Sequence, residues 1–157
     1  MPYCNAQMNE FVKRALNYLP DEIFDKINGK IAITVLKSDA CRLAPKICNH
    51  EEIILLSPWI YTYIPPGSCE ADKETRYFIF CVLHEVAHVV FKHYPPDELS
   101  GKENKDQEGE ADRYALEWFN KYAFEHSDNS ISHIAIEEIR VTQDKYQKKL
   151  EPILSSG

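Results

Sequence analysis

Two histidines four residues apart, with a glutamate following the first, form the segment His84-Glu85-Val86-Ala87-His88, and they are the residues of this chain best equipped for chemistry. A helix turns about 100° per residue, so the two histidines stand only about 40° apart around the axis and one turn apart in height. Both imidazoles can then reach one ion. Glu85 lies about 100° round from His84, where its carboxylate can approach a water at that ion without being a ligand, the position of a general base. The chemistry implied is hydrolysis by a metal-activated water, with Zn2+ as the cofactor. Composition alone would give roughly 0.02 matches to HExxH in such a chain. Burying two histidines and a glutamate unpaired in an apolar helix would cost several kcal/mol, a cost that a bound cation removes.

Catalytic zinc takes three protein ligands, so a third must come from elsewhere in the chain. His93 is near, but nine residues after His84 it falls on the opposite helix face if the helix runs that far. It also misses the HExxHxxGxxH spacing, in which Phe91 would have to be glycine and Tyr94 histidine. Glu108, in the segment EGEAD, is the better candidate. Glu108 and Asp112 are one helical turn apart and share a face with Ala111, Ala115 and Phe119 that is otherwise apolar and so turns inward. Asp112 is placed to accept the free N–H of a ligand histidine and fix its orientation. Glu110, about 200° from Glu108, is expected in solvent. Read by itself, EGEAD would be a charged surface helix; joined to HEVAH upstream, it reads as the partner of that motif.

Elements must hold these residues in place. Residues 8 to 19 repeat apolar side chains at helical spacing, and Pro20 ends that helix; Asp21 can cap a short second one, DEIFDKI, which Asn28 and Gly29 stop. IAITVL (31 to 36) and EEIILLS (51 to 57) are short and rich in branched residues and read as strands. The stretch 57 to 70, with three prolines and the aromatics Trp59, Tyr61 and Tyr63, reads as a long loop near the site. DKETRYFIFCVLHEVAHVVFK (72 to 92) has no proline or glycine and is apolar on nearly every side, so it predicts a buried helix. A polar loop from Tyr94 to Lys105, placed to cover the site, then a helix over 106 to 124 and a C-terminal helix over 131 to 153 complete an α+β chain read as one domain, 1–157.

Composition narrows the functions available. The formal charge is −7 with no cluster of lysine or arginine, which argues against direct nucleic-acid binding. No run of about 18 apolar residues spans a membrane, and the N-terminus carries no signal-peptide pattern. Five scattered cysteines without a CxxC pair suit a reducing, cytoplasmic compartment; Cys48 and His50 in ICNH lack the second cysteine pair of a zinc site.

HExxH on one helix and ExxAD on the next resemble the gluzincin zinc peptidases. More closely, TRYFIFCVLHEVAHVVFKH followed by EGEADRYAL is similar to the ImmA/IrrE-type metallopeptidases, whose motif commonly reads HExGHxxxxH and in which Ala87 here stands at the glycine. The resemblance covers roughly residues 50 to 120. It implies a zincin-like fold, with a small sheet packed on the buried HExxH helix, a cytoplasmic location and hydrolysis of peptide bonds in a peptide or protein substrate. On this reading His84, His88 and Glu108 hold zinc, Glu85 is the base, and Asp112 supports a ligand; Tyr94, Tyr114 and His126 are candidate donors to developing negative charge. Two rival readings stand beside it, a zinc-binding regulatory module without proteolytic activity and an interaction protein whose motif is fortuitous.

Overall fold

The structure is a computed structural model that describes residues 6–35, 52–56, 72–94, 98–126 and 132–154. The aromatic loop with Trp59, Tyr61 and Tyr63, and the Cys48/His50 segment, lie outside the described residues. Among the described residues the chain is mostly helical, with a two-stranded sheet, an arrangement compatible with α+β. The order is α1 (Ala6–Leu16), α2 (Asp21–Ile27), β1 (Ile31–Val35), β2 (Glu52–Leu56), α3 (Lys73–Val90), α4 (Gly101–Glu125) and α5 (Ile136–Leu154).

Helix α3 is the centre of the molecule. Phe78, Ile79, Val82, Leu83, Val86 and Ala87 are essentially inaccessible to solvent, and each large side chain buried this way contributes roughly 1.5–3 kcal/mol. Its longest contact is with α4, and it also meets α1, α2, α5 and β2. Phe11 of α1 meets Phe78 edge-on, with ring centroids 6.1 Å apart. Strands β1 and β2 pair in parallel, Ile31 opposite Glu52 through Val35 opposite Leu56. Alternation along β2 buries Ile54 and Leu56, and this strand packs on α3. A parallel pair cannot be joined by a tight turn, which accounts for the long stretch of chain between the two strands.

Several boundaries differ from the expectation. Helix α1 runs from Ala6 and stops at Leu16, before the expected residue 19, so Pro20 does not end it. The N–H groups of Asn17, Tyr18 and Leu19 donate to the carbonyls three residues earlier, which tightens the chain into turns ahead of the proline. Pro20, rather than Asp21, is the N-cap of α2, and Asp21 is the first helical residue. Helix α4 begins at Gly101, five residues earlier than expected, because Ser100 and Glu103 form a capping box: Glu103 N–H donates to Ser100 Oγ at 3.3 Å and Ser100 N–H donates to Glu103 Oε2 at 3.0 Å. Two exposed backbone donors are satisfied reciprocally, and the loop proposed as a cover is correspondingly shorter. Helix α5 begins at Ile136 rather than residue 131; the Asn120 side chain holds the chain ahead of it, accepting from Ile134 N–H at 2.8 Å and donating to Ile134 C=O at 3.0 Å.

The C-terminal helix is part of the same body. The Arg76 guanidinium pairs with Glu138, Lys145 pairs with Glu74 at 2.8 Å, and Tyr77 stacks on Tyr146 with centroids 5.3 Å apart. Among the described residues no helix is long and apolar enough to cross a membrane.

Candidate metal centre

The apolar faces of α3 and α4 bring their few polar residues together at one point. His84 Nε2 lies 3.0 Å from His88 Nε2 and 3.2 Å from Glu108 Oε2, and His88 Nε2 lies 3.5 Å from Glu108 Oε1. One ligand atom from each of the three residues falls within 4.8 Å of the others, the cluster among the described residues suited to holding a metal ion. Two ligand atoms about 2.0–2.1 Å from a tetrahedral zinc would stand roughly 3.3 Å apart. The separations of His84 Nε2 from His88 Nε2 and from Glu108 Oε2, 3.0 and 3.2 Å, lie close to that figure, and the second Glu108 oxygen is the one at 3.5 Å from His88 Nε2. The donor set therefore fits the ion in chemistry and is near it in spacing.

The outer nitrogen of each histidine is occupied, which is why both Nε2 atoms face the same point. His84 Nδ1 lies 3.0 Å from Asp112 Oδ1, and the other Asp112 oxygen accepts from Arg140 of α5. His88 Nδ1 lies 2.9 Å from His93 Nδ1, and His93 Nε2 lies 3.0 Å from Glu110 Oε2. With Nδ1 of either ring carrying the proton, the Nε2 lone pair is directed inward.

Charge follows from these contacts. Burial alone would depress the His84 pKa, but the hydrogen bond to Asp112 and the carboxylates of Glu85, Asp112 and Glu108 hold it above the ordinary value. Asp112, which burial would raise, is held below the usual aspartate value by His84 and Arg140. His88 is depressed by burial and by the neighbouring His84. Glu85 is raised by burial, with the Glu108 charge acting in the same direction. A carboxyl group shifted this way is closer to the working range of a general base at neutral pH.

Glu85 stands in a cleft of about 320 Å³ whose walls come from β2 (Leu56), α3 (Tyr77, Cys81), α4 (Glu108) and α5 (Arg140, Gln143). The Cys81 thiol in this wall is pushed up to about 12 by burial, so it is not a thiolate nucleophile.

His93 is not where an unbroken helix would put it. Helix α3 ends at Val90, and Lys92 adopts a left-handed φ of 54°. Lys92 N–H then donates to Val89 C=O at 3.2 Å and His93 N–H donates to His88 C=O at 2.9 Å, the paired bonds of a Schellman ending. The chain reverses and lays residues 91–94 along the flank of α4 formed by Gln107, Glu110, Tyr114 and Trp118. Phe91 stacks on Tyr114 at 4.0 Å, and the Gln107 side chain holds the backbone N–H and C=O of Tyr94. Glu110, expected in solvent, is 43% exposed and also bonds His93, while Glu108, expected to turn inward, is 45% exposed.

The three candidate charge-stabilising donors all lie off the cleft wall. Tyr94 is largely exposed, Tyr114 is held against Phe91, and His126 stacks on Tyr122 at the far end of α4, roughly 27 Å along the axis from Glu108. Arg140, which does line the cleft, was not singled out from the sequence: it is one of several charged residues on an amphipathic helix, and only the packing of α5 brings it to Asp112.

Residues 75–144 match the model of the Peptidase U49 family. The matched stretch runs from the first turns of α3 into α5 and includes His84, Glu85, His88, Glu108, Asp112 and Arg140. The match supports a peptidase, and with it a peptide or protein substrate. Neither a curated protein nor a solved structure gives a significant match to the chain.

Proposed function

We propose that the chain is a zinc-dependent metallopeptidase, a metalloendopeptidase of gluzincin type with a zincin-like fold akin to the ImmA/IrrE enzymes. The observation that carries this reading is the convergence of His84, His88 and Glu108 within 4.8 Å, beside Glu85 in an open cleft. His84 Nε2, His88 Nε2 and the Glu108 carboxylate would hold the metal. When bound, zinc supplies Lewis acidity, which polarises a peptide carbonyl and brings the pKa of water down towards about 7.

The side chains divide the remaining work. Glu85 takes a proton as the nucleophile forms and returns it to the leaving amine, a cycle suited to a carboxyl group whose affinity for protons burial has raised. Asp112 holds the proton on His84 Nδ1, and Arg140 keeps Asp112 ionised. The Arg140 guanidinium, half-exposed in the cleft wall, is a donor within the cleft for negative charge developing on a substrate. Leu56 of β2 lines the same cleft, so an extended peptide can lie along that strand. The scattered cysteines suit a cytoplasmic setting.

The test is zinc content together with cleavage of a mixed peptide library. The expected result is zinc bound by the purified protein, cleavage abolished by a chelator, and cleavage restored by added zinc. Zinc bound without cleavage by the wild type would favour the regulatory-module reading, and no zinc would remove the metallopeptidase one.

A further inference from the structure

We propose that His93 and Glu110 form a positioning relay for His88, ordering that imidazole for metal as Asp112 orders His84. The inference rests on the metal-site reading above and extends it to two residues that reading does not use. His93 Nδ1 lies 2.9 Å from His88 Nδ1, the two rings meeting edge to face at 77°, while His93 Nε2 lies 3.0 Å from Glu110 Oε2. The other Glu110 oxygen faces Arg113 at 3.7 Å.

Proton placement along this chain has one consistent solution. His88 can ligate through Nε2 only if its proton sits on Nδ1, and that N–H then donates to His93 Nδ1. His93 is thereby the tautomer protonated at Nε2, and its N–H donates to the Glu110 carboxylate. A carboxylate is acceptor-only when ionised, so the sequence of donors cannot run the other way. His93 is nearly enclosed, its side chain 6% exposed, so each ring nitrogen is satisfied by the relay rather than by solvent.

The two ligand histidines are thus supported in the same manner. His84 donates to Asp112, which is paired with Arg140; His88 donates to His93, which donates to Glu110, which faces Arg113. The second arm has one more imidazole because Glu110 lies on a different flank of α4 from Asp112, about 160° away around the helix axis. The left-handed turn at Lys92 delivers the ring that bridges this distance.

The test is zinc affinity measured by chelator competition, with folding of each metal-free variant checked by circular dichroism. Removing a partner behind a ligand histidine typically weakens metal binding about 10- to 100-fold. His93→Ala and Glu110→Ala should each show a loss of this size. His93→Gln, whose amide oxygen can accept from His88 and whose amide NH₂ can donate to Glu110, should recover most of it. In the zinc-loaded wild type, nitrogen-15 spectra of the imidazoles should show His88 protonated at Nδ1 and His93 at Nε2. If His93→Ala fails to fold, Glu110→Ala and the tautomer assignment decide the matter. Zinc affinity unchanged in a folded variant, or the opposite tautomers, would overturn the relay while leaving the metal site standing. Failure of the wild type to bind zinc would overturn the underlying reading and the relay with it.

Discussion

His84 Nδ1 lies 3.0 Å from Asp112 Oδ1 across the interface of the two central helices, joining the first histidine of HEVAH to the last acid of EGEAD. The contact fixes the ring, sets the proton on its outer nitrogen and leaves the inner nitrogen free for a ligand. Replacing Asp112 by alanine removes that support and strips Arg140 of its carboxylate partner, leaving it the bond to Gln143. The expected outcome is zinc binding weakened about 10- to 100-fold, measured by competition with a chromogenic chelator. Undiminished affinity would show that the Asp112 contact does not support the metal site.

The same pair has a pH signature in the metal-free protein. His84 titrates above its ordinary 6.5 and Asp112 below its ordinary 3.8. The stabilisation from their pairing is therefore complete between those two values; it is lost as pH rises through the raised His84 pKa and as pH falls through the depressed Asp112 pKa. His88, with its pKa depressed, contributes in the opposite sense as pH falls below 6.5. Comparison with Asp112→Ala isolates the pair. In urea unfolding of metal-free protein, the advantage of wild type over the variant should be larger at pH 6 than at pH 9, with the remainder at pH 9 coming from Arg140 and from the hydrogen bond that neutral His84 still donates to Asp112. Zinc affinity should move the other way, rising with pH as His84 sheds its proton.

Glu85 is held at a cost to folding. Burial raises its pKa above 4.5, so its ionised form subtracts from stability once pH exceeds that value. Metal-free Glu85→Gln should melt at a higher temperature than wild type at pH 7.5, and the two should converge below pH 4.5, where both side chains are neutral. Equal melting temperatures at pH 7.5 would mean that the carboxylate is better solvated than its surroundings indicate.

Lys92 holds a left-handed φ of 54° that glycine adopts freely. For a residue with a side chain this conformation costs roughly 1–2 kcal/mol, part of which glycine returns through its freer unfolded chain. Lys92→Gly should raise stability by about 1 kcal/mol, and Lys92→Val should lower it. Chemical denaturation of both variants reads the sign directly.

The parts of this arrangement legible in the sequence are those set by helical periodicity. HEVAH lies within one helix, and the shared face of Glu108 and Asp112 follows from a four-residue spacing, so the ring-carboxylate geometry could be anticipated from 100° steps. The start of α4 was also written in the chain, as Ser100-Gly-Lys-Glu103, and was missed because the charged residues after it look like loop. The contact between His93 and Glu110 is not legible there for a different reason. Their meeting depends on a Schellman ending whose left-handed residue is a lysine, and no glycine marks it. Arg140 was beyond local reasoning altogether, since its contact with Asp112 spans 28 residues and exists only once α5 has docked.

The most direct test of a zinc peptidase built on Glu85 compares new peptide N-termini in a cell lysate incubated with zinc-loaded wild type or with zinc-loaded Glu85→Gln. The substitution removes the base while leaving His84, His88 and Glu108 in place. The expected result is a set of cleavages made by the wild type alone, whose flanking residues also define the preferred sequence. The same cleavages made by both proteins would contradict the role given to Glu85, and none from either, with zinc bound, would contradict the assignment of a general peptidase.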